Sequence, residues 1–246
     1  MGRYAGDYRT NIHNHTGATK FVTFVPSQYT IAASGDRLTL SGPLGVADYI
    51  EIAPLLFQQA DGSPNYLAFR QDQNGRITHL FMEAVGAPYT FERIAWYEHT
   101  LAVLGILLFE SVVFLSAILA WPVGALVRRW RKRAPEPGKV RSARWAAWLL
   151  SALGFLALVS WIVMLINVWT QGADPIINNY AGLVVTLGAV HLAVLVALVL
   201  PYFAWRAWRE KYWGWGSRIH YTLVTWAGLV FIWLAIYWNW LGFRLY

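Results

Sequence analysis

The run from Tyr97 to Arg133 limits what this chain can fold into more than any other. From His99 to Trp121 it reads HTLAVLGILLFESVVFLSAILAW, in which Glu110 is the one ionisable side chain after the opening histidine. A hydrocarbon core about 30 Å thick needs roughly 20 apolar residues of helix to cross it, and this run is long enough. Pro122 comes next, and then Arg128, Arg129, Arg131, Lys132 and Arg133 arrive almost without a break. An apolar span closed by a dense basic cluster reads as a helix pinned at that end on the cytoplasmic side. The residues before the span are then expected outside the cytoplasm, and the chain beyond the basic cluster must return to the bilayer.

Three more spans are predicted near 144–169, 180–204 and 219–241, beside the first at 99–121. The loop from Val123 to Arg144 holds eight Lys or Arg, that from Thr170 to Asn179 holds none, and that from Arg206 to Arg218 holds four. High, zero and high is the alternation that the positive-inside rule asks of four spans with outward termini. The expected location is the bacterial inner (cytoplasmic) membrane, multi-pass, with the lipid bilayer as the first partner. Trp96, Trp121, Trp145, Trp169, Trp205, Trp238 and Trp240 stand near span ends, where interfacial anchors are expected. Ser116, Ala120 and Gly124 recur every four residues, as do Ala189, Ala193 and Ala197, a spacing that lets helix backbones approach in lipid. A four-helix transmembrane bundle is therefore expected over 96–246.

Charge divides the same way. Residues 1–95 carry seven basic and eight acidic side chains, and the remainder thirteen and five, so the net +7 belongs to the membrane half. That distribution argues against a nucleic-acid partner. The chain has no Cys, which excludes disulfides and thiolate-held metals. The opening MGRYAGDYRTNIHNHTG has no apolar core and is not a signal peptide. Either the first span exports its own N-terminal tail, or the chain is cut from a longer one that carried the signal; the second is expected.

Residues 1–95 read as short antiparallel strands parted by turns. Tyr29–Ser34 and Arg37–Ser41 flank Gly35-Asp36, a hairpin signal. Strands are predicted over Asp48–Ala53, Leu55–Gln59, Tyr66–Asp72, Arg76–Glu83 and Tyr89–Ile94, divided by runs such as Asp61-Gly62-Ser63-Pro64-Asn65 and Gln73-Asn74-Gly75. Ala18–Ser27 is either a short helix or an irregular strand. Leu38, Leu40, Tyr49, Leu67, Phe69, Ile77, Leu80 and Phe81 are expected to line one small core. The expected class is an α+β membrane protein, with a small antiparallel β-barrel or sandwich followed by the bundle.

Several segments resemble a known family. Tyr4-Ala5-Gly6-Asp7-Tyr8-Arg9, Leu38-Thr39-Leu40-Ser41-Gly42 and Tyr49-Ile50-Glu51-Ile52-Ala53-Pro54 are similar to the region after the catalytic domain in some penicillin-binding-protein-like and β-lactamase-like bacterial serine hydrolases. Leu67-Ala68-Phe69-Arg70, Gly75 to Phe81, Phe91-Glu92-Arg93 and Phe109 to Pro122 extend the likeness over most of residues 4–133. The resemblance implies a post-catalytic β-barrel and a partner in the form of a serine-hydrolase catalytic domain. It carries no catalytic signature.

That chemistry needs a Ser-x-x-Lys box, and no Ser here has Lys three residues on. His15-Thr16-Gly17 and Tyr237-Trp238-Asn239 mimic two other boxes of the family, but each stands in the wrong context. No catalytic residues are expected. His13-Asn14-His15, with Asp7 as the one nearby acid, is a weak metal set and reads better as a polar loop. Haem would want two His at one depth on facing helices; His99, His191 and His220 do not match, so no cofactor and no metal are expected.

Glu110 and His191 are the ionisable residues deep within spans. Each lies eleven residues into a helix running in the same direction, so they are expected at similar depth and hydrogen-bonded to each other. A charge at bilayer centre costs about 2.5–3.5 kcal/mol and usually faces a partner or a water cavity. The pair reads as a proton or ion relay, or more simply as a polar clasp between helices. The expected function is that of a non-catalytic membrane-anchoring and accessory part of a serine-hydrolase-like, β-lactamase-related envelope protein. The alternative is a stand-alone membrane binding or sensing protein whose β-domain holds a small apolar ligand; a transporter-like unit built on Glu110 and His191 ranks third.

Overall fold

The computed structural model describes residues 1–11, 17–23, 28–84, 87–171 and 180–242. It divides into two compact units, with the boundary in the main chain between Leu104 and Gly105. The expected boundary at residue 95 is early. Gln28 explains the difference: its Oε1 accepts from the Thr100 amide at 2.9 Å and from its hydroxyl at 2.8 Å, while its Nε2 donates to the Glu98 carbonyl at 2.9 Å. These bonds satisfy an opening donor of the first long helix from within the barrel unit.

The first unit is a closed barrel of eight antiparallel strands in sequential order. They are β1 Gly6–Thr10, β2 Gln28–Ser34, β3 Arg37–Gly42, β4 Gly45–Ala53, β5 Leu56–Gln59, β6 Tyr66–Gln71, β7 Ile77–Ala84 and β8 Ala87–Arg93. β1, which the strand pattern does not reveal, closes the barrel by pairing Tyr8 with Arg93, Arg9 with Glu92 and Thr10 with Phe91. Closure removes the edges that an open sheet would expose. Gly35-Asp36 makes the expected two-residue turn between Ser34 and Arg37, with Gly35 at φ +59°.

Alternation along each strand sends one set of side chains inward. Leu38, Leu40, Tyr49, Phe57, Leu67, Phe69, Ile77 and Leu80 are buried, with Tyr4 and Tyr8 among them. Phe81 is not in that core: a strand with a two-residue period cannot bury both Leu80 and Phe81, and Met82 takes the inward place. Tyr4 enters from a short 3₁₀ turn, Gly2–Tyr4, and its ring lies 4.9 Å from that of Phe57 and 4.8 Å from that of Phe69. The Tyr8 hydroxyl donates to the Tyr4 carbonyl at 2.7 Å, and burial pushes its pKa up to about 12. The interior is filled with side chains, as eight-stranded barrels allow. Ala18–Thr23 forms a 3₁₀ helix, which answers part of the ambiguous Ala18–Ser27 segment.

Among the described residues the second unit contains four helices long and apolar enough to cross a membrane. They are α1 Thr100–Trp130, α2 Gly138–Gln171, α3 Tyr180–Arg209 and α4 Trp215–Tyr237. α1 runs past the expected end at Trp121 because Pro122 only removes one backbone donor, and α3 likewise runs through Pro201. Three helices close with Schellman bonds: Arg133 N–H to Arg128 O (3.1 Å), Tyr212 N–H to Ala207 O (3.2 Å) and Trp240 N–H to Ala235 O (2.8 Å). Each puts a non-glycine residue in the left-handed region, namely Lys132 at φ 48°, Lys211 at φ 52° and Asn239 at φ 56°.

α3 packs closely on α2 and α4, with Ala193 and Ala197 buried as the small-residue spacing predicts. Gly228 fits there too, since a Cβ on it would come 2.7 Å from Leu150 Cδ2 and 3.4 Å from Ala197 Cβ. The other repeat does not behave so: Ala120 is exposed and a Cβ on Gly124 would meet nothing within 4 Å. α1 instead reaches the other helices through long rings. Phe114 lies against Phe231 of α4 at 6.2 Å, and Trp121 stacks on Tyr221 at 6.1 Å. Of the expected interfacial tryptophans, Trp96, Trp145 and Trp205 are exposed, whereas Trp121, Trp238 and Trp240 are buried. Trp240 is inside because the chain turns back after α4, laying its ring 5.0 Å from that of Trp161. The Trp169 side chain lies outside the described residues.

Candidate functional site

Glu110 is wholly buried on α1, and neither carboxylate oxygen has a hydrogen-bond partner among the described residues. The bond expected between Glu110 and His191 is therefore not formed. His191 is occupied otherwise: Nδ1 donates to the Leu187 carbonyl one turn back at 2.7 Å, and Nε2 accepts from the Gly242 amide at 3.0 Å. The two bonds define the Nδ1–H tautomer, one ring nitrogen donating and the other accepting. His191 thus ties the turn after α4 to the middle of α3. Equal count into two helices gives the two residues similar expected depth, but depth does not decide which way a side chain faces.

The structure makes a different polar bridge near α1. Ser116 Oγ lies 2.8 Å from His220 Nε2 of α4 and donates its own proton to the Val113 carbonyl at 2.7 Å. With that proton committed, the imidazole is the donor and the hydroxyl the acceptor. Ser116 is therefore held as a link between α1 and α4, with the Trp121 ring edge-on to His220 at 5.5 Å. Its place in the small-residue repeat gives no hint of this, and in sequence His220 is only a residue at the inner end of a span.

The basic cluster is more organised than a topology signal requires. Arg128, at the end of α1, reaches Glu136 Oε1 at 2.9 Å, and Arg144 of α2 reaches the same oxygen at 2.9 Å. Trp213, in the turn between α3 and α4, donates its indole N–H to that oxygen at 3.3 Å. The Arg144 guanidinium lies over the Trp213 ring at 5.1 Å, and Trp213 sits 5.3 Å from Tyr221, whose hydroxyl donates to the Ala143 carbonyl at 3.1 Å. One carboxylate thus gathers α1, α2 and the α3–α4 turn. Sequence reasoning misses Glu136, although it is the one acidic residue in the loop from Val123 to Arg144. Among the described residues Arg129, Arg131, Lys132 and Arg133 make no ion pair.

On the barrel, the outward side chains of β4 to β7 include an apolar row. Ala53, Leu56, Ala68 and Phe81 are register partners in turn, and Ile52 joins them at the β-bulge between Glu51 and Ala53. Ile52 is 48% exposed and Phe81 37%, with the His79 ring stacked on Phe81 at 6.3 Å. Contiguous apolar patches of more than a few hundred Å² often mark interaction sites on folded monomers.

Comparison with protein-family models, curated proteins and solved structures finds no match. The mimic Tyr237-Trp238-Asn239 falls at the end of α4, where Trp238 is buried and Asn239 has the left-handed backbone. The other mimic and the His13–His15 pair include residues outside the described ones. Among the described residues no group of three or more His, Asp or Glu is placed to hold a metal.

Proposed function

We propose that this chain is the non-catalytic, membrane-anchored accessory part of an envelope protein of the serine-hydrolase-like, β-lactamase-related kind. The four apolar helices anchor it in the cytoplasmic membrane, with Arg128 to Arg133 on the cytoplasmic side and residues 1–95 on the other. The barrel offers a rigid face to the hydrolase domain. The observation that carries this reading is the outward row from Ile52 through Leu56 and Ala68 to Phe81. A closed barrel with a filled interior has no structural need of it.

The rival reading, an apolar ligand held inside the barrel, needs a space that Tyr4, Tyr8, Phe57 and Phe69 occupy. It would require these rings to leave a packed interior, and removal of a buried aromatic ring costs about 3–5 kcal/mol.

Two measurements test the proposal. The reading frame upstream of Met1 is expected to encode a Ser-x-x-Lys hydrolase domain. In the joined protein, replacing Ile52 and Phe81 with Lys is expected to lower labelling of that serine by a β-lactam or fluorophosphonate probe while the barrel stays folded. Labelling of the present chain alone by either probe would refute the non-catalytic reading. Unchanged labelling in the double variant would refute the docking role of the row.

A further inference from the structure

Beside the turn between α1 and α2 lies a half-open cavity of about 650 Å³, within the range of small-molecule sites. Its composition is two-sided. Trp121, Leu126, Trp145 and Trp148 supply apolar wall, while Arg128, Arg129, Arg133, Arg141 and Arg144 are set against one carboxylate, Glu136. Glu136 holds Arg128 and Arg144 in place through its Oε1. Arg129, Arg133 and Arg141 have no ion pair or side-chain hydrogen bond among the described residues. The Schellman turn at Lys132 folds the chain back so that Arg133 joins the lining, while its neighbours Arg131 and Lys132 do not line the cavity.

Free guanidiniums converging on one space favour a phosphate, whose oxygens match their paired N–H groups. A free phosphate ion has no use for four apolar walls, and a hydrocarbon tail has no use for five arginines. A phosphate ester carrying an acyl chain satisfies both. Trp145 and Trp130 are exposed close by, as expected at the headgroup level of a bilayer. We infer that this cavity binds an anionic phospholipid, its phosphate held by Arg129, Arg133 and Arg141 and its chain lying against Trp121, Leu126, Trp145 and Trp148.

A topology signal counts charges, whereas a site depends on which charges they are. The full chain is therefore compared with two variants that remove equal charge: Arg129→Gln with Arg141→Gln, and Arg131→Gln with Lys132→Gln. All four side chains are exposed and unpaired among the described residues, so neither change removes an internal contact. Retention of phosphatidylglycerol is read by native mass spectrometry after exchange from phosphatidylcholine bilayers containing phosphatidylglycerol as the minor lipid. The unaltered chain is expected to retain the anionic lipid about tenfold over phosphatidylcholine. The Arg129/Arg141 variant loses that preference and the Arg131/Lys132 variant keeps it. Ala125→Trp, which fills the cavity without touching charge, is expected to lose the lipid as well. An equal loss in the two charge variants would overturn the site in favour of diffuse attraction. Displacement of the lipid by inorganic phosphate alone would overturn the lipid assignment in favour of a free anion.

Discussion

The ring of Phe114 on α1 lies where a side chain on Gly154 of α2 would have to be: a Cβ there would come 2.7 Å from Phe114 Cε2. Phe114 is wholly buried, so the ring has little room to yield. Gly154→Ala is expected to destabilise the bundle by about 1–3 kcal/mol through overpacking. Gly188→Ala on α3, where a Cβ would meet nothing within 4 Å, is the matched control. It is expected to be neutral or to stabilise by up to about 1 kcal/mol, through helix propensity. Thermal melts in one detergent distinguish the two; equal shifts would mean that Phe114 is not seated against Gly154.

Glu110 gives the second prediction. A buried carboxyl with no hydrogen bond among the described residues returns nothing for the water it gave up. Replacing it with an apolar residue of similar size is expected to stabilise the bundle, by about 1–4 kcal/mol on the scale found for other buried ionic groups. Glu110→Leu should therefore melt higher than the parent chain. Because His191 is bonded to Leu187 and Gly242, a Glu110→Leu, His191→Phe cycle should be additive within about 0.5 kcal/mol. A large coupling energy would restore the direct pair.

The contrast between these helices and the barrel shows where sequence patterns carry three-dimensional information. Strand alternation and Gly35-Asp36 announce most of the barrel because a two-residue period assigns each side chain a face. Hydrophobicity taken without that period misleads at Phe81, and the pattern misses β1, whose GDYRT is too polar to stand out. In the long helices almost every residue is apolar, so composition reveals that they are able to cross lipid but not which face meets a neighbour. Ser116 and His220, 104 residues apart, share no local pattern. Trp240 resembles every other tryptophan at a span end until the chain turns back beneath Trp161. Glu136 is legible by its charge alone, against the arginines around it.

The third prediction concerns the helix ends. Lys132 and Lys211 hold left-handed backbone at the close of α1 and α3. A Cβ in that conformation costs about 1–2 kcal/mol, and glycine avoids the cost. Lys132→Gly and Lys211→Gly are each expected to stabilise by roughly 0.5–1 kcal/mol after allowance for glycine's greater freedom in the unfolded chain. Lys132→Val and Lys211→Val should destabilise, since branching at Cβ makes that backbone worse. A melt series Gly, Lys, Val in descending order at each site checks the geometry. The same order at Lys139, in the first turn of α2 and without the left-handed backbone, would show that the effect does not come from that conformation.

The fourth prediction rests on Tyr8 in the barrel. Burial favours the neutral phenol, so the folded chain holds that proton to about pH 12 while the unfolded chain releases it near 10.0. Stability from this residue is whole below pH 10.0 and declines as pH rises toward about 12, by about 2–3 kcal/mol in all. Tyr29 and Tyr49, also shifted upward by burial, act in the same direction. Tyr8→Phe loses the bond to the Tyr4 carbonyl, which costs about 0.5–1.5 kcal/mol at neutral pH. The variant should nevertheless lose less stability than the parent between pH 10.0 and about 12, because its ring has no proton to give. Phenolate absorbance followed alongside the strand signal in circular dichroism measures both effects. If Tyr8 ionised with the exposed tyrosines while the strands remained, the ring could not be sealed inside the barrel beside Tyr4.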